Sequence, residues 1–241
     1  MTEDAIARAE VLVGLGRPEE AAALLSRALA DEPNDVELMV ALGLAQIEFD
    51  EQGALETARR ALAIDPENVQ ALLIAGGACL DLNYGQRAVP YAHRLVELVP
   101  WLPAAHATMA MAVGRGSSGR KDGLAAANRA IELAPRDTIG YLAAGAVELA
   151  HGESTSAIRW YEKALEIDPH DHSAQVNLVT ARESAGHLSP ALIAAAAILR
   201  IDPRDETARH ALDETVYTTL VHLLWISGTI FLLIALVNGV G

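Results

Sequence analysis

This chain has little cysteine, little lysine, few basic residues against its acids, and no charge at all near its end. Cys79 is the one cysteine in 241 residues, so no intrachain disulfide can form and a metal site built on cysteines is excluded. It sits on an apolar stripe, where a free thiol behaves as a small hydrophobe; a redox role is the alternative. Lysine occurs only at 121 and 163, against 16 arginines. With the abundance of alanine, that bias hints at a GC-rich bacterial source.

Lysine and arginine together number 18 against 32 acids, a net charge of −14. Nucleic-acid binding is disfavoured, because neutralising phosphates needs clustered positive charge. The acids are uneven: residues 1–67 carry 15 acids and 5 basic residues, and residues 68–241 carry 17 and 13. A solvated face explains that skew, and a basic partner at the N-terminal end is the other reading. No Ser-His-Asp or Cys-His set can be assembled from spacing, so neither an enzyme, a cofactor nor a small-molecule substrate is expected. Runs of β-branched residues are rare before residue 215, which points to an all-α protein.

What is present is a pattern, clearest from Tyr141 to Pro169, YLAAGAVELAHGESTSAIRWYEKALEIDP. A first helix, about Ile139 to Ala150, carries Leu142, Gly145, Ala146 and Leu149 at spacings of 3 and 4. A second, about Ser154 to Ile167, carries Ala157, Trp160, Tyr161, Ala164 and Leu165, and Asp168-Pro169 stops it. Gly145, Ala157 and Ala164 are small where two helices of a hairpin would cross. Such a hairpin cannot bury both its apolar faces alone. The ending KALEIDP recurs as RALADEP, RALAIDP, RLVELVP, RAIELAP and AILRIDP, placing prolines at 33, 66, 100, 135, 169 and 203.

Two helices every 34 residues resemble the tetratricopeptide repeat (TPR), in six copies spanning 2–33, 36–66, 69–100, 103–135, 138–169 and 172–203. The fifth copy matches best, with Tyr141, Gly145, Gly152, Ala157, Tyr161, Ala164 and Pro169 on family positions. The resemblance implies a right-handed superhelical solenoid of helix hairpins. A helix A and a helix B make each hairpin, with the A helices lining the concave side.

Several stretches depart from the pattern. Pro90 falls inside a helix B and is expected to bend it. Trp101-Leu102-Pro103 replaces a short polar connector. Between the helices of the fourth copy, Gly114, Gly116 and Gly119 spell GxGxxG, and Arg120-Lys121 follow. Nucleotide motifs of that kind need a strand before the loop, and here a helix precedes. A flexible loop is the expectation, with Arg115, Arg120 and Lys121 open to an acidic partner or to lipid headgroups. His170-Asp171-His172 has two metal-ligand letters and no third ligand, so no metal is expected.

Beyond Pro203, residues 205–215 read as a capping helix. Val216 to Val240, VYTTLVHLLWISGTIFLLIALVNGV, has no charged residue. As helix, residues 216–237 would extend about 33 Å, enough for a hydrocarbon core of about 30 Å. A transmembrane helix over 216–240 is expected. His222 near its start is read at headgroup level beside Tyr217, or as a bond to a partner helix. Thr218, Gly228, Ala235 and Gly239 share one face of it, which suits either close packing with another helix or plain anchoring. Arg200, Arg204 and Arg209 precede the span, and the first residues lack a secretory signal. The array is therefore expected on the cytoplasmic side of the cell (inner) membrane, single-pass.

In the family, ligand contacts come mostly from A-helix positions two, five, nine and twelve. The resemblance places Val40, Leu44, Ile47, Leu73, Leu80, Met111, Leu142 and Leu149 there, an apolar partner-binding groove suited to a helix of a protein partner. The Lys, Asn and Arg that clamp acidic tails in some relatives are absent from these positions. The other reading is that these side chains pack on one another. The function implied is a membrane-anchored adaptor or accessory subunit within a membrane protein complex. An assembly factor or chaperone for hydrophobic client segments is the alternative.

Overall fold

The computed structural model describes residues 2–47, 49–116, 119–186, 198–199, 204–210 and 213. Among these, every regular element is helical. The helices are α1 Thr2–Gly14, α2 Pro18–Asp31, α3 Val36–Gln46, α4 Glu51–Ile64, α5 Val69–Asp81 and α6 Gly85–Leu98. They continue as α7 Pro103–Gly114, α8 Arg120–Leu133, α9 Ile139–Ala150, α10 Ser154–Ile167 and α11 His172–Ser184.

Local chemistry sets these bounds. Asp35, Asn68 and Asp171 stand just before α3, α5 and α11, and their side chains accept from the backbone N–H of Leu38, Ala71 and Ala174 at 3.0, 3.0 and 2.8 Å. Each covers one of the donors that a helix start leaves without a partner. Asp50 does the same for α4 through the Gly53 N–H at 2.9 Å. At the other end, α2, α4 and α10 close on Glu32, Asp65 and Asp168, whose backbone has left helical geometry one residue before Pro33, Pro66 and Pro169.

The chain divides into two compact units, residues 1–151 and 152–241, with the boundary between α9 and α10. In the first unit α1, α3, α5 and α7 each pack on the even-numbered helix that follows and on the next odd one. That is a solenoid: the core is continuous, and each layer touches only its neighbours. Alanine fills the crossings. Ala21, Ala54, Ala58, Ala61, Ala88, Ala92 and Ala127 are fully buried on the even helices, so the backbones approach closely. Larger side chains, Leu25, Leu38, Ile74 and Leu95, fill between them.

Pro90 is accommodated inside α6, which runs through it from Gly85 to Leu98. Its cost is one missing N–H in the second turn, and the helix is not broken there.

The glycine-rich segment of the fourth copy keeps a connection between its two helices, of which residues 117 and 118 lie outside the described residues. Helix α7 reaches Gly114 and α8 begins at Arg120, so Arg120 and Lys121 are helical. A Cβ on Gly114 would lie 2.5 Å from Val147 Cγ2, and one on Gly123 would lie 2.9 Å from Gly114 Cα and 3.0 Å from the Ala110 carbonyl oxygen. These glycines let α7 and α8 touch backbone to backbone, with Val147 of α9 seated on the contact.

In the second unit α10 packs on α11, with Ala157, Tyr161 and Ala164 buried. Burial pushes the Tyr161 hydroxyl pKa well up. Arg182 Nη2 meets Glu162 Oε1 at 3.0 Å. Asp205 opens a helical turn over 206–210 by accepting from the Ala208 N–H at 2.7 Å, and Ala208 is buried in a cluster with Val179 and Ile198. Most of the second helix of the sixth copy, and the whole span 216–240 with Thr218, Gly228, Ala235 and Gly239, lie outside the described residues. Among the described residues no helix is long and apolar enough to cross a membrane.

Candidate partner-binding groove

The odd-numbered helices of the first unit carry the groove positions, and the structure sorts them. Leu44, on the last turn of α3, is 48 % exposed. Val40 and Ile47 are half-buried, and Ile47 reaches over the next odd helix, where its Cδ1 lies 3.4 Å from the Cβ position of Gly77. A small residue on α5 is thus filled by the helix before it. Met111 rests half-buried on the same cluster as Val40 and Ile47. Leu73 lies half-buried against Leu72, Leu95 and Ala105. Leu142 and Leu149 are half-buried on α9.

Leu80 is a correction. It is 4 % exposed, packed in the core with Ala54, Leu55 and Cys79, and is not available to a partner. Position twelve of α5 points inward because the helix runs on to Asp81 and closes against α6. Among the exposed apolar residues not singled out from the sequence are Val11 of α1 and Leu15 just after it. They are four apart, so they lie on one face at the end of α1.

Polar groups singled out from the sequence turn out to fasten the fold. Arg120 Nε donates to Glu148 Oε2 at 2.7 Å. Arg115 Nη1 donates to Asn83 Oδ1 at 2.5 Å, and Lys121 is exposed. Asp171 caps α11, and His172 Nε2 meets Asp205 Oδ2 at 2.8 Å. Among the described residues no three His, Cys, Asp or Glu side chains are grouped as metal ligands would be.

Against known proteins, the tetratricopeptide repeat family pattern matches residues 3–47 and again residues 115–172. No curated protein matches. A tetratricopeptide repeat protein from Parabacteroides merdae superposes with a TM-score of 0.74, at 16% identity, over 89% of this chain and 84% of its own. MamA from Desulfovibrio magneticus RS-1 superposes at 0.56, with 21% identity over 71% of this chain and 97% of its own. YrrB, described as a TPR protein with an unusual peptide-binding site, superposes at 0.51, with 21% identity over 70% and 88%. The chain thus carries tetratricopeptide repeats at residues 3–47 and 115–172, and its fold is the all-α helix-hairpin fold of those structures.

Proposed function

We propose that this protein is a non-enzymatic adaptor or accessory subunit that docks a helix of a protein partner on its odd-helix face while its C-terminal run holds it at a membrane. The observation that carries the docking half is Leu44, a large apolar side chain nearly half exposed between the half-buried Val40 and Ile47. An exposed leucine flanked by apolar neighbours gains by being covered; full burial of such a side chain contributes about 1.5–3 kcal/mol. The peptide-binding description of YrrB supports peptide docking as a use of this fold. Support for the membrane half is the uncharged stretch Val216–Val240 alone. The arginines before it support a reading in which the repeats lie on the cytoplasmic side of a bacterial inner membrane.

Affinity purification from detergent-solubilised membranes separates the two halves. Leu44→Asp should release partners that the full chain retains, leaving membrane recovery unchanged. Gly228→Leu with Ala235→Leu should keep insertion and test whether the span also grips a partner. Recovery of the same partners by Leu44→Asp and by wild type would remove the groove from the proposal.

A further inference from the structure

The even-helix side of the first unit holds a second surface, separate from the groove. A furrow of about 500 Å³ lies between α4 and α6 with α5 beneath it. Leu55 and Arg59 line it from α4, Pro90, Tyr91 and Arg87 from α6, and Cys79 closes its floor. Through Gln86 and Arg87 it shares its wall with a 360 Å³ hollow at the start of α6, where Asn83, Tyr84 and Arg115 stand.

The charge here runs against the rest of the chain. Over a protein of net charge −14, several surface arginines have a carboxylate of their own: Arg8 with Asp4, Arg17 with Glu20, Arg94 with Glu67 and Glu97, Arg129 with Glu132. Among the described residues neither Arg59 nor Arg87 has one within ion-pair distance. Both charges reach the furrow floor, where they oppose the rise that burial gives the Cys79 thiol. Arg87 is held in place, its guanidinium 4.7 Å from the centre of the Tyr84 ring. Beside it the Arg115 stem lies across Gly85, where a Cβ would come within 3.1 Å of Arg115 Cδ. At the Arg115 end, Glu51 and Arg115 both act on the Asp81 carboxyl.

The furrow thus offers two open guanidinium groups above an apolar base of Leu55, Pro90 and Tyr91. Guanidinium forks take carboxylates in paired hydrogen bonds, and a proline-bearing helix face gives an apolar side chain a flat seat. Two separated arginines on an acidic protein make no continuous basic track of the kind a nucleic-acid backbone needs.

We propose that this furrow binds a short acidic peptide segment of a protein partner, with its carboxylates on Arg59 and Arg87 and an apolar side chain on Leu55, Pro90 and Tyr91.

The test uses the full chain in mild detergent and a fluorescein-labelled hexapeptide alternating glutamate and leucine, followed by anisotropy. The peptide should bind despite the repulsive net charge, and a lysine-leucine counterpart should not bind at this site. Arg59→Met with Arg87→Met should weaken binding about tenfold or more, the loss of charge-assisted hydrogen bonds. Arg59→Met alone, the milder change, should weaken it about threefold on the same grounds. Arg60→Met, next on α4 and outside the furrow, should leave affinity unchanged, as should the groove variant Leu44→Asp. Circular dichroism checks that each variant keeps its helicity. Absence of binding, equal binding of the lysine peptide, or an equal loss in Arg60→Met would overturn the proposal. So would displacement of the peptide by transfer RNA more readily than by unlabelled acidic peptide.

Discussion

Arg120, the first residue of α8, holds Glu148, in the last turn of α9, through a 2.7 Å bond from Nε to Oε2. The glutamate side chain is 7 % exposed and the arginine 43 %, so one partner is fully committed to the pair and the other is half solvated. Close by, the His151 Nε2 bonds to the Gly114 carbonyl at 2.7 Å, at the end of α7. Three helix ends are fastened in one place.

Removing the arginine therefore strands a buried carboxylate. Arg120→Met should cost about 2 kcal/mol, because an uncompensated buried charge costs more than the pair contributes. Glu148→Gln keeps a hydrogen-bonding group and should cost less, about 1 kcal/mol. Combining Arg120→Met with Glu148→Leu should recover most of the loss. Urea midpoints measure all three; a wild-type midpoint for Arg120→Met would show that the pair carries no stability.

The glycines beneath that pair invite a change that local propensity favours and packing opposes. Alanine in a helix interior is better than glycine by about 1 kcal/mol. At Gly123, however, a Cβ meets backbone at 2.9 and 3.0 Å, which cannot yield without moving α7. Gly123→Ala should destabilise by about 1–3 kcal/mol, the range for overpacked sites. Gly114→Ala meets the stiff, buried side chain of Val147 instead, and Val147→Ala should rescue it. Stabilisation by Gly123→Ala in a thermal melt would mean that the segment packs loosely after all.

How far this was legible beforehand depends on how local each signal is. The helices and their ends were readable because proline, the Asp or Asn cap and the apolar stripe all act within a few residues, as at Asn68 and Pro66. The role of Gly114 was not, since the same letter serves a turn, a phosphate cradle or a close helix crossing, and only Val147, far along the chain, decides. Leu80 was misplaced because the family register fixes an angle around the helix and not what α6 lays over it. Arg59 and Arg87 come together only through stacking of successive layers, a relation no local spacing announces.

Asp81 gives a pH-dependent prediction. Its carboxyl pKa is raised above its ordinary 3.8, first by partial desolvation and then by Glu51, with Arg115 pulling the other way. It also ends α5, where a negative charge opposes the helix dipole. A raised folded-state pKa means that the folded chain holds the proton more tightly than the unfolded one. The resulting stability is complete below the ordinary value and lost as pH rises through the raised one. At neutral pH Asp81 is therefore a burden. Asp81→Asn should raise the melting temperature at pH 7, and the advantage should shrink as pH falls towards 3.8. An advantage that is constant across that range would assign the effect to packing.

Cys79 offers a probe of the first unit that needs no label. Its side chain is buried among Ala75, Ala78 and Ala88, and burial pushes its thiol pKa up, with Arg59 and Arg87 only partly offsetting this. Both effects slow a disulfide reagent, the first by blocking access and the second by reducing thiolate. The chain has a single thiol, so its reaction rate reports one place. In the folded protein an aromatic disulfide reagent should react slowly, and the rate should rise with urea along the unfolding curve. Cys79→Ala should lower stability by about 1 kcal/mol, the size of a small void, whereas Cys79→Ser should cost more because its hydroxyl enters an apolar cluster. Rapid reaction in native buffer, at the rate of an unfolded chain, would show that the floor of the furrow opens to solvent. The α4–α6 furrow would then be deeper than its lining residues imply.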